Sequence, residues 1–427
     1  MSVKRLLIKG GRVIDPASGV DGIRDVLVEK GIISIIDISI QTEDAKVLSA
    51  EGKWVVPGLV DMHVHLREPG YEYKETIETG TKSAAAGGFT SVACMANTNP
   101  VNDCAQVTEF IRNMAKSKGA VNVFPIGAIT KGLKGEALAD IAEMAEAGVV
   151  ALSDDGKCVM NAAVMRAAIE YAGMFGLAII EHAEDIDLKQ NGVMNEGVVS
   201  TRLGLVGAPR ISEDTITARD ISLAEYTGGH VHFAHVSTAG AVELIRFAKQ
   251  KGVKVTAEAA PHHFTLTDEA VGEYDTNAKM APPLRESRDI NAIIQGLADG
   301  TIDCIATDHA PHGIAEKEVE FDSAAFGIVG LETAVPLSLG LVRDGRLTPL
   351  RLVEVMSFNP SKILKINRGT IQPGAVADIT IIDPDKEWVV EPSQFKSKGR
   401  NTPFAGWKMK GKAVATIVNG NVAYEDN

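Results

Sequence analysis

The 427-residue chain has only four cysteines, Cys94, Cys104, Cys158 and Cys304, and no two of them form a CxxC pair. That excludes a thiolate-built metal site, so any metal here must be held by histidines and carboxylates. Scattered single thiols in a chain this long suit a reducing compartment, and a cytoplasmic location is expected. Long apolar runs are also missing. None reaches the ~18 residues of a membrane span. The opening stretch MSVKRLLIKGGRVIDP breaks its apolar runs at Lys9, Gly10, Gly11 and Arg12, unlike a signal peptide. Positive charge is in deficit, with 43 Lys and Arg against 56 Asp and Glu and a net charge of −13. An acidic balance of this size argues against a nucleic-acid partner and for a soluble protein.

Hydrophobic residues make up 45% of the chain, enough for a large core. The length suits a barrel of ~250 residues plus an accessory domain. Both ends have the texture of short strands and turns, as in residues 1–56, 374–383 and 413–426. They predict one small β-sandwich domain built from residues 1–56 and 366–427, with residues 57–365 inserted between. In that insert, short apolar runs alternate with helical stretches. The runs are 59–65, 90–98, 121–130, 149–156, 177–184, 230–237, 254–263 and 302–312. Eight strand–helix units predict an α/β fold of the (β/α)8 TIM-barrel type. A doubly wound sheet competes, but no GxGxxG or Walker-type loop follows the first run.

Polar residues collect at the C-terminal end of run after run: His63, His65, Asn97, Asp155, His182, His235, His263 and Asp308. That end of a barrel carries the active site, because its loops converge over the mouth. In Asp61-Met-His63-Val-His65 the two histidines are two apart, so on a strand they face the same way. A lone HxH pair is a weak signal and could equally be structural. The later strands add His182, His235, Asp155 and Asp308. Four imidazoles and two carboxylates suit zinc, which takes nitrogen and oxygen ligands and can leave a position open for water. Other histidines read more plainly. His230 falls at the bottom rim, His232 in the core or behind the ligands, and His309 should point away from its neighbour Asp308. His262 and His263 are weaker ligand candidates, and His312 can reach over the mouth.

Two motifs carry a family resemblance: Asp61-Met-His-Val-His-Leu-Arg-Glu-Pro-Gly70, and Ala306-Thr-Asp-His-Ala-Pro-His312 followed by Lys317. They resemble the signatures of the dihydroorotases, in the amidohydrolase superfamily, and the resemblance spans essentially the whole chain. It implies two zinc ions. His63 and His65 would hold the first with Asp308 adjacent, His182 and His235 the second, and Asp155 would bridge them. The motif Ser153-Asp-Asp-Gly156 and the length resemble the family's first type, which bridges with aspartate where many relatives use a carboxylated lysine. Some members of that type hold a single zinc.

The resemblance further implies reversible closure of N-carbamoyl-L-aspartate to L-dihydroorotate in pyrimidine biosynthesis, with Asp308 as base and then acid. His65, Arg67, Asn97, His312, Phe326 and Gly327 are the implied substrate contacts, Arg67 and Asn97 on the carboxylate. An alternative for Arg67 is a plain ion pair with Glu68 or Glu72. One departure is Ala281, where the family more often has an Asn that helps hold the ring. Allantoinases and dihydropyrimidinases (hydantoinases) are the nearest rival readings, and a zinc-free partner of aspartate transcarbamoylase is a third. This chain keeps every implied ligand, and a homodimer is the expected assembly. Whether an active enzyme would also bind aspartate transcarbamoylase stays open. The polar stretch 313–323 could be a lid or a static loop.

Overall fold

The computed structural model describes residues 5–426. Residues 1–4 and 427 of the expected β domain lie outside the described residues.

Strands from both ends of the chain share one eight-stranded sheet. Ile379–Val389 pairs antiparallel with Trp54–Pro57, so a C-terminal strand is stitched beside an N-terminal one. Leu6, Ile8, Val13, Val26, Ile379, Ile381 and Ile417 bury their side chains in one common cluster. Successive side chains of a strand point to opposite faces, which puts these positions together, while Leu7 and Leu27 between them fall in a separate cluster with Ile40.

The middle of the chain is parallel. Leu59–Val64, Phe89–Cys94 and Asn122–Pro125 form one parallel sheet. Ala151–Leu152, Ala178–Glu181, Val231–Phe233, Val255–Ala259 and Cys304–Ile305 form a second. A parallel bridge between Gly127 and Leu152 joins the third strand's exit to the fourth strand. Another joins Val64 to His309, from the first strand to the segment after the eighth. The first three strands are followed by the helices Ile77–Gly87, Ala105–Lys118 and Ile141–Ala147, and the fourth by Ala162–Met174. The next four lead to Ile211–Thr227, Ala239–Gln250, Ser287–Asp299 and Ala334–Arg343. The first, second and fifth strands are buried on both faces, which is why their sequences run almost continuously apolar.

The strands are shorter than the apolar runs that announce them. The run 302–312 contains a strand of only two residues, Cys304–Ile305. The remainder of each run is exit loop, and there the polar residues sit.

The terminal sheet is keyed to the parallel strands at Gly88. The Thr380 hydroxyl donates to the Gly88 carbonyl at 2.6 Å. Gly88 has φ +92°, and a Cβ there would lie 2.8 Å from the Ala413 Cβ and 2.9 Å from the Thr380 Cγ2. Only glycine permits both the turn and the contact. Between Val389 and Lys408 the chain leaves the sheet. There Val390, Phe395 and Phe404 pack with Leu266, Met280, Phe321 and Ile328 against the loops beyond the strands. No described helix is long and apolar enough to cross a membrane.

Candidate metal centre and substrate rim

His63 ends the first strand's inward row, and His65 follows it immediately. Asp155, His182 and His235 sit just past the fourth, fifth and sixth strands. The folding of these exits brings them together as two groups of donors, His63–His65–Asp155 and Asp155–His182–His235, with Asp155 common to both. Asp155 Oδ1 lies 3.3 Å from His63 Nε2, 3.4 Å from His235 Nε2 and 3.5 Å from His182 Nδ1. Its Oδ2 lies 3.5 Å from His65 Nε2.

These residues fit a metal. Donors in a tetrahedral zinc site, each ~2.0–2.1 Å from the ion, are roughly 3.3–3.4 Å from one another. His63 Nε2 and Asp155 Oδ1 are buried and have no hydrogen-bond partner. Such atoms are costly to bury unless something binds them. The protonation balance points the same way. Burial opposes charge on His63, but Asp155, Glu258 and Asp308 lift its pKa well above the ordinary imidazole value. Burial likewise opposes charge on Asp155, yet His63, His182 and His235 hold it well below the usual carboxylate range. A pocket that draws protons onto its imidazoles is electrostatically suited to a cation.

Three of the four histidines are oriented from behind. His63 Nδ1 meets Glu258 Oε1 at 2.6 Å. His65 Nδ1 meets Asn97 Oδ1 at 3.0 Å, and His182 Nε2 meets Glu184 Oε2 at 3.3 Å. Each contact turns the other ring nitrogen toward Asp155. Asp61 supports the frame: it accepts from the His63 N–H at 3.1 Å and from the Thr307 N–H at 3.1 Å, tying the first strand to the segment after the eighth.

Asp308 lies outside the two donor groups but against the first. Its Oδ1 is 3.1 Å from His65 Nε2 and 3.5 Å from His63 Nε2. Its backbone has φ +49°, His235 has φ +31° and Arg67 has φ +61°. Strained conformations of this kind in non-glycine residues gather at functional sites. His309 does turn away from Asp308, toward Glu75 Oε2 at 3.4 Å. His262 and His263 fall in neither donor group, and His263 Nε2 donates to the Pro282 carbonyl at 2.9 Å.

The rim is made of loops. Among the described residues Arg67 forms no ion pair. Glu68 accepts instead from the Ile77 N–H and Glu72 from the Gly70 N–H, each at 2.8 Å. Arg67 Nε donates to the Pro311 carbonyl at 3.3 Å, and its Nη2 lies 3.5 Å from His312 Nε2. His312 Nε2 donates to the Phe326 carbonyl at 2.7 Å. Burial, with Arg67 and Lys74 nearby, pushes the His312 pKa down to about 3, so the ring is neutral at physiological pH. Gly327 has φ +121°, and a Cβ there would come within 2.6 Å of the Ala310 Cβ. Asn97 is half-buried and already engaged: its Oδ1 holds His65, and its Nδ2 donates to the Asp155 carbonyl at 3.4 Å. A cavity of about 610 Å³ opens beside the cluster, lined by Lys157, His182, Glu184, Lys189 and Phe326 among others.

Two buried side chains fasten this rim. Lys317 Nζ donates to the carbonyls of Ala325 (2.8 Å), Gly327 (3.0 Å) and Lys279 (3.4 Å). Asn401 Nδ2 donates to the carbonyls of Ala310 and Gly327, both at 3.0 Å, and its Oδ1 accepts from the His312 N–H at 3.1 Å. The stretch 313–323 is therefore held through Lys317, which is itself buried.

Sequence reading had not singled out Glu258, Glu184 or Asn401. Glu258 left a signal, an acid at an inward position of the apolar strand Val255–Ala259. Asn401 left none, because its partners are 74 to 91 residues earlier in the chain.

A family profile described as Dihydro-orotase-like matches residues 52–241. A protein of Pelotomaculum thermopropionicum named dihydroorotase is 60% identical over 99% of both chains. One of Geobacter sp. (strain M21) with the same name is 59% identical over 98% of this chain and 99% of its own. The chain belongs to the dihydroorotase family. Among solved structures, an L-hydantoinase (dihydropyrimidinase) from Arthrobacter aurescens superimposes with a TM-score of 0.89 at 27% identity, covering 100% of this chain and 97% of its own. A dihydropyrimidinase from Brevibacillus agri NCHU1002 gives 0.86 at 22% identity, covering 99% of this chain and 95% of its own, a likeness of fold.

Proposed function

We propose that the chain is a zinc-dependent dihydroorotase, interconverting N-carbamoyl-L-aspartate and L-dihydroorotate plus water in pyrimidine biosynthesis. The relatives named dihydroorotase, aligned over almost their whole length, support the activity. The observation that carries the substrate is Arg67. It is a guanidinium with no carboxylate partner among the described residues, set beside His312 near the donor cluster. Its planar fork matches a carboxylate, which dihydroorotate has and hydantoin lacks.

His63 and His65 would hold one zinc, His182 and His235 a second, with Asp155 between and Asp308 next to the first. When bound, zinc supplies a Lewis acid that polarises the ring amide and brings the pKa of water down to ~7. Asp308 takes the proton of the attacking water and delivers it to the departing ring nitrogen, since an amide nitrogen leaves poorly unprotonated. Burial disfavours charge on Asp308, but His63 and His65 outweigh it and hold its carboxyl below the usual range, so it is ionised and free to accept a proton. Arg67 and Asn97 fix the substrate carboxylate, and His312, Phe326 and Gly327 border the ring. Cyclisation runs the same proton path backwards.

The same reading takes residues 57–365 as a closed (β/α)8 barrel. The bridges Gly127–Leu152 and Val64–His309, which join the two parallel sheets, support closure. Residues 1–56 and 366–427 would form a β-sandwich beside it. A cytoplasmic homodimer is the assembly in keeping with a soluble enzyme of this kind.

Substitution at Arg67 tests the assignment. Arg67→Gln removes charge-assisted hydrogen bonds worth ~1.5–3 kcal/mol, so kcat/KM for dihydroorotate falls roughly 10- to 150-fold. Zinc content stays unchanged. Unaltered kcat/KM in that variant would remove Arg67 from the substrate site.

A further inference from the structure

Behind His63 a line of side chains runs the length of the parallel strands, away from the substrate. His63 Nδ1 meets Glu258 Oε1 at 2.6 Å, and the other oxygen, Oε2, meets His232 Nε2 at 3.2 Å. His232 Nδ1 meets the Thr256 hydroxyl at 2.8 Å, and that hydroxyl meets His230 Nε2 at 2.8 Å. The strand register sets this up: His232 lies opposite Thr256 on the neighbouring strand, and Glu258 is two residues further along the same face. His63, Glu258 and His232 are fully buried. His230 and Thr256 are half-buried and line a cavity of about 490 Å³ at the opposite end of the strands, together with Lys254 and Lys365.

With Glu258 ionised and the imidazoles neutral, the direction of every bond follows. An ionised Glu258 can only accept, so His63 donates through Nδ1 and His232 through Nε2. A neutral His232 then has Nδ1 free as an acceptor, so the Thr256 hydroxyl donates to it. The hydroxyl oxygen in turn accepts from His230 Nε2–H. With His63 neutral, as a metal ligand must be, one consistent proton arrangement satisfies the whole line and leaves Nε2 bare, facing Asp155.

We infer that Glu258, His232 and Thr256 are positioning residues for the metal centre: a hydrogen-bonded line from the far end of the strands locks the tautomer and ring orientation of His63. This rests on the reading of His63 as a zinc ligand. It means that a hydroxyl which touches no ligand, reached from the side opposite the substrate, adjusts the affinity of the site. Contacts behind metal-bound histidines typically change metal affinity ~10–100-fold when removed.

The test uses the full chain and zinc itself, in competition with a chelator of known affinity, alongside ¹⁵N shifts of the labelled imidazoles in metal-free protein at a pH above the raised His63 titration, where the ring is neutral. Glu258→Gln should lower zinc affinity by ~10–100-fold. Thr256→Val, nearly isosteric, should lower it several-fold and admit the second His63 tautomer, while Thr256→Ser keeps both properties of the parent. Zinc affinity within twofold of the parent in both Glu258→Gln and Thr256→Val would overturn the inference. So would equal losses in Thr256→Val and Thr256→Ser, which would mark a packing effect. A parent chain that binds no zinc would sink the functional reading instead. The His63 tautomer in Thr256→Val and Thr256→Ser would then decide the inference alone.

Discussion

The donor cluster and the rim that faces it take their order from different places. The cluster stands at the exits of the first, fourth, fifth and sixth strands, and three of its histidines are turned by Glu258 on the strand Val255–Ala259, Asn97 past the second strand and Glu184 past the fifth. The rim is loop, and what holds it comes from far along the chain. Asn401, in the segment between Val389 and Lys408, ties Ala310, His312 and Gly327 together. Glu75, just before the helix Ile77–Gly87, accepts from the Ser397 hydroxyl and from the Lys398 N–H at 3.2 Å. Chemistry needs rigid donors, and here they stand in or within three residues of strand ends. Specificity is set on loops, and here the C-terminal segment braces them.

The largest expected effect separates proton transfer from metal binding. Asp308→Asn keeps the shape but not the base, so turnover should fall ~10²–10⁴-fold. Zinc content, measured by mass spectrometry, should persist, because both donor groups are complete without Asp308. Near-normal initial rates would remove the proton shuttle from this residue.

A second effect lies in stability, on the rim side. Glu75 is fully buried, and burial alone would raise its pKa, but His309, Ser397 and Thr79 more than compensate and lower it. A carboxyl lowered on folding stabilises the native state above its unfolded value near 4.5 and loses that contribution as pH falls through the folded value. Glu75→Gln should therefore cost about 2 kcal/mol in denaturant unfolding at pH 7. The gap to the parent should narrow as the pH drops below 4.5. A gap that stays constant with pH would mean that the Glu75 charge contributes nothing.

The smallest effect concerns Ala281. Its neighbour Lys279 accepts from the Gly327 N–H at 3.0 Å, so this segment borders the rim. Ala281→Asn should restore one neutral hydrogen bond to the ring, worth ~0.5–1.5 kcal/mol, and lower the dihydroorotate KM roughly 2- to 10-fold with kcat unchanged. An unchanged KM would place position 281 out of reach of substrate.

The contrast between cluster and rim also explains what the sequence disclosed. His63 and His65 were legible because a strand puts residues two apart on one side. His182, His235 and Asp155 were legible because each closes an apolar run. Glu258 belonged to such a run but was hidden among alanines. The roles of Lys317 and Asn401 had no local pattern to betray them, since both act on backbone carbonyls brought close only by folding. The long exit loops were hidden for a related reason: the apolar runs continue past the last strand pairing, as the two-residue strand Cys304–Ile305 illustrates. Arg67 was readable as a residue but not as a partner. Whether it paired with Glu68 or Glu72 could be decided only once both carboxylates were seen capping backbone amides.

The most direct measurement is a side-by-side ring-opening assay of the purified, zinc-replete chain on dihydroorotate, hydantoin and allantoin, with bound zinc counted in the same sample. A dihydroorotase with the centre described here should turn over dihydroorotate, leave the other two nearly untouched and carry zinc at His63, His65, Asp155, His182 and His235. Bound zinc with turnover of hydantoin or allantoin, and none of dihydroorotate, would contradict the substrate assignment and the role of Arg67 together.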